Sequence, residues 1–120
     1  MAEALVARGW TPDRILLSSS TRTCETHALM REASSDFDEI PFEVASELYH
    51  AGPATLTAIV EEIPEGRTTL VLGHNPGVEM LLEELVGGWH RMSTAACALL
   101  VRTEKGWALE EILRPKELAT

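Results

Sequence analysis

Residues 68–86, TTLVLGHNPGVEMLLEELV, decide the reading of the fold. Residues 68–72 form a continuous β-branched and apolar run, the pattern of a strand covered on both faces. Gly73-His74-Asn75-Pro76-Gly77 follows at once. Then Val78, Leu81, Leu82, Leu85 and Val86 fall on one helical stripe, closed by Gly87-Gly88. A buried strand that turns directly into an amphipathic helix is half of a β-α-β unit. In open α/β sheets, ligands bind beyond the carboxyl ends of the strands. Asn75 suits a helix N-cap and Pro76 the first helical position. The free N–H groups and dipole of the new helix favour an anion, and His74 at the strand end can reach it. A bland reading stands beside this one, a capped turn whose histidine bonds a backbone carbonyl. Glycine on one side and Asn-Pro-Gly on the other favour function.

The same pattern occurs upstream. Residues 14–18, RILLS, are a short apolar run, followed by Ser18-Ser19-Ser20-Thr21-Arg22-Thr23-Cys24-Glu25-Thr26. Serine and threonine there can cap a helix from Ser20 or Thr21 to about Ala33, with Leu29, Met30 and Ala33 expected inward. Arg22 falls in the first turn, where a cation opposes the helix dipole. A residue set against a local rule points to function, and its guanidinium could clamp a phosphate bidentately. Otherwise it is a surface arginine paired with Glu25. Two strand ends, one bearing arginine and one histidine, could converge on a phosphoryl group. A nucleophile is not evident: Ser18, Ser19 and Ser20 lie in no G-x-S-x-G elbow.

Working outward, residues 1–8 read as a helix stopped by Gly9, and Thr11-Pro12-Asp13 as a turn. Residues 34–41 are a polar loop and 42–45 a weak strand. A helix opens at Gly52 or Pro53, with Leu56, Ile59, Val60 and Ile63 on one stripe. Residues 94–103 and 107–113 are strands about the turn Glu104-Lys105-Gly106. Strand–helix alternation predicts a single α/β domain over residues 1–120, a mainly parallel sheet flanked by helices, with the last hairpin adding antiparallel pairing at one edge. A helix leading into the first strand implies an earlier strand for it to cross from, so the first strand is expected to be missing and the N-terminus incomplete.

The net charge of −9, from 10 Lys+Arg against 19 Asp+Glu, argues against a nucleic-acid partner. Any anion site must therefore be local. No apolar run reaches the roughly 20 residues of a membrane span, and no signal peptide opens the chain, so no membrane partner and a cytoplasmic location are expected. Cys24 and Cys97 lack metal-ligand spacing and read as small buried residues. His27, His50 and His90 likewise have no metal spacing and read as exposed or core-edge side chains. Trp10, Trp89 and Trp107 read as packing residues. Glu47 could be a general acid near the site, or a solvated loop carboxylate.

Taken in order, residues 16–26, 48–51, 73–79 and Leu113-Arg114-Pro115-Lys116 resemble the SixA-type phosphohistidine phosphatases, the short branch of the histidine phosphatase (phosphoglycerate mutase-like) superfamily. The resemblance runs from Leu5 to Lys116. It implies a three-layer phosphoglycerate mutase-like fold and a phosphatase that needs no metal or other cofactor. Its nucleophile would be a histidine in an Arg-His-Gly signature on the first strand, acting through a phosphohistidine intermediate on a phosphorylated protein or small phosphoester. Arg22 would be the second phosphate-clamping arginine, His74 the second catalytic histidine, and Asn75 a phosphate neighbour. Ser19, Glu25 and Ser93 depart from the family pattern, and no Arg-His-Gly occurs in residues 1–120. The expectation is a phosphatase domain that is inactive alone, against the alternative of a non-catalytic phosphate- or phosphoprotein-binding module. Substrate identity and oligomeric state are left open by the sequence.

Overall fold

The computed structural model describes residues 1–93 and 96–115. Helix α1 (Ala2–Ala7) ends as expected at Gly9, whose φ of +75° suits glycine. The Gly9 and Trp10 amides donate back to the Val6 and Leu5 carbonyls at 3.0 and 2.8 Å, so the last turn is closed. The chain then enters β1 (Arg14–Ser18), passes through α2 (Thr21–Ala33) and the single turn α3 (Ser35–Asp38), and returns in β2 (Phe42–Ala45). A 3₁₀ turn at Ser46–Leu48 leads to α4 (Pro53–Glu61), β3 (Thr69–Leu72) and α5 (Gly77–Val86). The hairpin β4 (Cys97–Thr103) and β5 (Gly106–Leu113) follows. The architecture is α/β, with a parallel three-stranded sheet of order β2-β1-β3.

β1 is the central strand, and its side chains divide between two layers, as a period of two requires. Ile15 and Leu17 pack with Leu5, Met30 and Phe37, which come from α1, α2 and α3. Leu16 points the other way, against Leu48, Leu56, Val60 and Leu81, from the 3₁₀ turn, α4 and α5. Helices therefore cover both faces of the sheet. The sheet's parallel register sets Leu17 opposite both Val44 and Leu72, so all three strands end together at one edge.

Four local expectations are corrected. The polar loop at 34–41 contains the helical turn α3, because Phe37 within it is fully buried. On α2 the inward residues are Thr23, His27 and Met30, whereas Leu29 and Ala33 are exposed. The i, i+4, i+7 stripe is real, but two of its members are not apolar. Cys24 and Cys97 are only partly buried, although burial pushes the Cys97 thiol up to about 11. Finally, the β4–β5 hairpin does not join the parallel sheet among the described residues. A cleft of about 1840 Å³ separates the two sheets, lined by Leu70, Val71 and Leu72 on one side and by residues 97–101 on the other. This leaves all four residues of β3 half-buried instead of covered. The predicted strand residues Thr94 and Ala95, and Lys116 of the C-terminal motif, lie outside the described residues.

His27 is a consequence of the altered α2 face. It is 3% exposed, its ring lies 4.4 Å from that of Phe42, and its Nε2 has no hydrogen-bond partner. Burial, and then the Arg31 charge, lower its pKa from the ordinary 6.5. The unfolded chain thus takes up this proton more readily than the folded one. The associated stability is complete above about pH 6.5 and is lost as pH falls through the lower folded value. We expect urea midpoints to drop between pH 7.5 and 5.5, and His27→Leu to flatten that drop. An equal slope in the variant would contradict the assignment.

Candidate active site

The neighbouring parallel strands β1 and β3 end side by side, so Ser18 and the residues just after Leu72 emerge together. His74 Nε2 and Ser18 Oγ are 2.6 Å apart. Ser18 is fully buried, and its oxygen also accepts the Ser20 amide at 3.3 Å. Its hydroxyl proton is then free for Nε2 of a neutral His74 ring, which leaves Nδ1–H for a ligand. The alternative protonated ring would donate from Nε2 to the second lone pair of Ser18. In either state Ser18 holds the ring in place. Neither state offers Ser18 as an exposed nucleophile.

Ser20 is the N-cap of α2. It accepts the Thr23 amide at 3.2 Å and donates to the Thr23 hydroxyl at 2.8 Å. That cap fixes the first turn and places exposed Arg22 on the cleft that His74, Asn75 and Arg91 also line. Among the described residues Arg22 forms no ion pair, with Glu25 or any other carboxylate. Arg22 and His74, separated by 52 positions in the sequence, thus both line this cleft, Arg22 in the first turn after β1 and His74 just after β3.

Asn75 does a different job from the one expected. Helix α5 begins at Gly77 with Pro76 as its N-cap, and the Asn75 side chain does not cap it. Its amide instead donates to the Met92 carbonyl, while the Met92 amide donates to Glu79 at 2.7 Å. Arg114 donates to the Arg91 carbonyl at 3.1 Å. These bonds clip the segment carrying Arg91 and Met92 over the start of α5. Glu47 is exposed in the 3₁₀ turn and does not line this cleft.

His50 was not singled out by the sequence, yet its ring centroid is 6.4 Å from that of His74. The Tyr49 ring is 5.8 Å from His74. The available signal was positional: residues 46–52 follow strand β2, whose carboxyl end lies at the same sheet edge as those of β1 and β3. Gly77 is what lets that loop approach. A Cβ there would run into the Ala51 carbonyl oxygen, with Leu56 Cδ1 at 3.4 Å. Among the described residues no cluster of three or more His, Cys, Asp or Glu could hold a metal ion, and no helix is long and apolar enough to cross a membrane.

The parallel three-stranded sheet with helices on both faces is an α/β fold like that of the SixA phosphohistidine phosphatases. The chain matches solved SixA phosphohistidine phosphatase structures over nearly its whole length. A chain designated phosphohistidine phosphatase SixA from Agrobacterium tumefaciens superposes with a TM-score of 0.79 at 25% identity, covering 95% of this chain and 75% of that one. A protein histidine phosphatase SixA complexed with tungstate gives a TM-score of 0.76 at 26% identity, covering 98% and 78%. A SixA chain of Nakamurella multipartitia shares the fold, with a TM-score of 0.79 at 21% identity. By sequence, the chain is 29% identical over 115 residues to an uncharacterized chloroplastic protein of Arabidopsis thaliana. It spans about half the length of that relative, 53%, with 89% of its own length matched. No protein-family model matches the sequence.

Proposed function

We propose that this chain is the phosphoryl-binding part of a phosphohistidine or phosphoprotein phosphatase domain, with Arg22 and His74 holding the transferring group. The observation that carries the reading is that His74, held by Ser18 at 2.6 Å, and Arg22, without an ion pair among the described residues, line the same cleft, each just beyond the carboxyl end of a strand. The SixA structure with tungstate supports it, since tungstate is a tetrahedral oxyanion like phosphate.

Arg22 neutralises the equatorial oxygens by charge-assisted hydrogen bonds. His74 donates a hydrogen bond from its Nδ1–H to a further oxygen, with Nε2 held by Ser18. Such preorganised donors are worth most where charge develops in the transition state. A histidine that attacks the phosphorus would come from a strand seated between the edges of β3 and β4 that have no strand partner among the described residues. Its carboxyl end would arrive beside Arg22 and His74. As that histidine's ring nitrogen bonds to phosphorus, the substrate's P–N or P–O bond breaks and the leaving group departs with a proton. Water then cleaves the new phosphohistidine, which releases inorganic phosphate and restores the ring.

One observation favours a second reading for the chain by itself, a module that binds phosphate without turnover. The hydroxyl nearest His74 belongs to Ser18, which is fully buried and held by two hydrogen bonds.

Titration calorimetry with inorganic phosphate tests the binding site common to both. Arg22→Ala is expected to weaken binding roughly 10- to 100-fold, the value of a charge-assisted pair. An unchanged affinity would remove Arg22 from the site and defeat the proposal.

A further inference from the structure

Charge is divided between the two ends of the large cleft. Its lining carboxylates among the described residues, Glu65 and Glu104, lie where β3 begins and β4 ends. Arg102 ties that end to the Val60 and Ile63 carbonyls at 2.8 and 3.0 Å. At the opposite end, where β3 finishes and β4 starts, the charged side chains lining the cleft are Arg22 and Arg91. In a chain of net charge −9 this is a local positive patch.

Arg91 is set in place by its backbone. Gly87 and Gly88, with φ of +74° and +75°, turn the chain out of α5. Met92 is then buried as an anchor, its amide on Glu79 at 2.7 Å and its carbonyl on the side-chain amide of Asn75, the neighbour of His74. Arg114 holds the Arg91 carbonyl at 3.1 Å. The Glu79 carboxylate is thus engaged, and it does not line the cleft. Arg91 itself is exposed and forms no ion pair among the described residues. Trp89 on the same loop, expected as a packing residue, is 59% exposed. Arginine and tryptophan are among the residues most enriched where proteins meet.

We infer that residues 87–93 form a substrate-reading loop, and that Arg91 takes a carboxylate flanking the phosphorylated residue of a protein substrate. The inference rests on the phosphoryl-site reading above. With the phosphoryl group at Arg22 and His74, the polypeptide that bears it crosses the rim where Arg91 stands. The clipped backbone leaves only the Arg91 side chain to be ordered on binding, which lowers the entropic cost. An acidic flank is otherwise repelled by the net charge of the chain, so Arg91 sets the sign of the discrimination.

The probes are two phosphoserine heptapeptides, identical except for glutamate or glutamine on both sides of the phosphoserine, titrated calorimetrically into the whole chain at low salt. The glutamate peptide is expected to bind about two- to fivefold more tightly, the worth of one exposed ion pair. Arg91→Gln should abolish or reverse that order, because only the net repulsion remains, and Arg91→Lys should keep it. A glutamine peptide that binds equally well or better in the unaltered chain, or a glutamate preference that survives Arg91→Gln, would overturn the inference. Arg22→Ala separates the two levels. If neither peptide binds, or both bind independently of Arg22, the phosphoryl-site reading fails and takes the loop assignment with it. If both bind through Arg22 without a preference, only the loop assignment fails.

Discussion

With a strand carrying an Arg-His-Gly signature fused ahead of Met1, the chain is expected to hydrolyse phenyl phosphate at least about 10³-fold faster than it does alone, since removing a nucleophile typically costs that much or more. The expectation follows from the cleft of about 1840 Å³ between β3 and β4. Among the described residues β3 pairs only with β1, and β4 only with β5, so each strand has an edge of backbone donors and acceptors without a strand partner. An added parallel strand would pair with both and merge the two sheets. Its carboxyl end would fall level with Leu72 and deliver the next side chain beside His74 and Arg22. The gain should vanish when the introduced histidine is changed to alanine. A folded fusion that gains nothing would show that the cleft does not seat a catalytic strand. Unassisted turnover by the chain that is lost in His74→Ala would show that none is needed.

The second large effect is on stability. Gly77→Ala is expected to cost about 2–3 kcal/mol, the usual penalty for overpacking a tight site. The methyl group would meet the Ala51 carbonyl oxygen, a backbone atom that cannot rotate away as a side chain could. Relief requires moving the whole 49–52 loop, and Leu56 Cδ1 at 3.4 Å blocks retreat on the other side. The same shift would carry Tyr49 and His50, whose ring centroids lie 5.8 and 6.4 Å from that of His74, away from it. A variant within about 0.5 kcal/mol of the parent, the range of ordinary surface substitutions, would mean that this approach is not tight in solution.

Much of this fold could be read directly because the sequence marks its strands and helix ends strongly. RILLS and TLVL are apolar enough to be recognised as strands, and Gly9 and Gly87 mark helix ends. What escaped had a physical cause in each instance. The inward face of α2 uses Thr23 and His27, so counting apolar residues selected Leu29 in their place. Asn75 has the composition of a cap, but its amide is used on Met92, a contact that local sequence cannot reveal. Whether the β4–β5 hairpin joins the parallel sheet depends on what fills the space between them, which no residue of the hairpin encodes. Arg22 and His74 stand out as candidates in the sequence because each sits where a strand turns into a helix. Ser18 and His50 do not, since their importance lies in distances of 2.6 and 6.4 Å to His74 that only the folded chain creates.

The central claim is that Arg22 and His74 grip one tetrahedral oxyanion at the carboxyl ends of β1 and β3. A crystal structure of the chain soaked in tungstate tests it most directly, because the ion's heavy atom locates itself by anomalous scattering. We expect tungstate between the Arg22 guanidinium and the His74 ring, with His74 still bonded to Ser18. Tungstate bound elsewhere, with Arg22 and His74 left unligated, would contradict it.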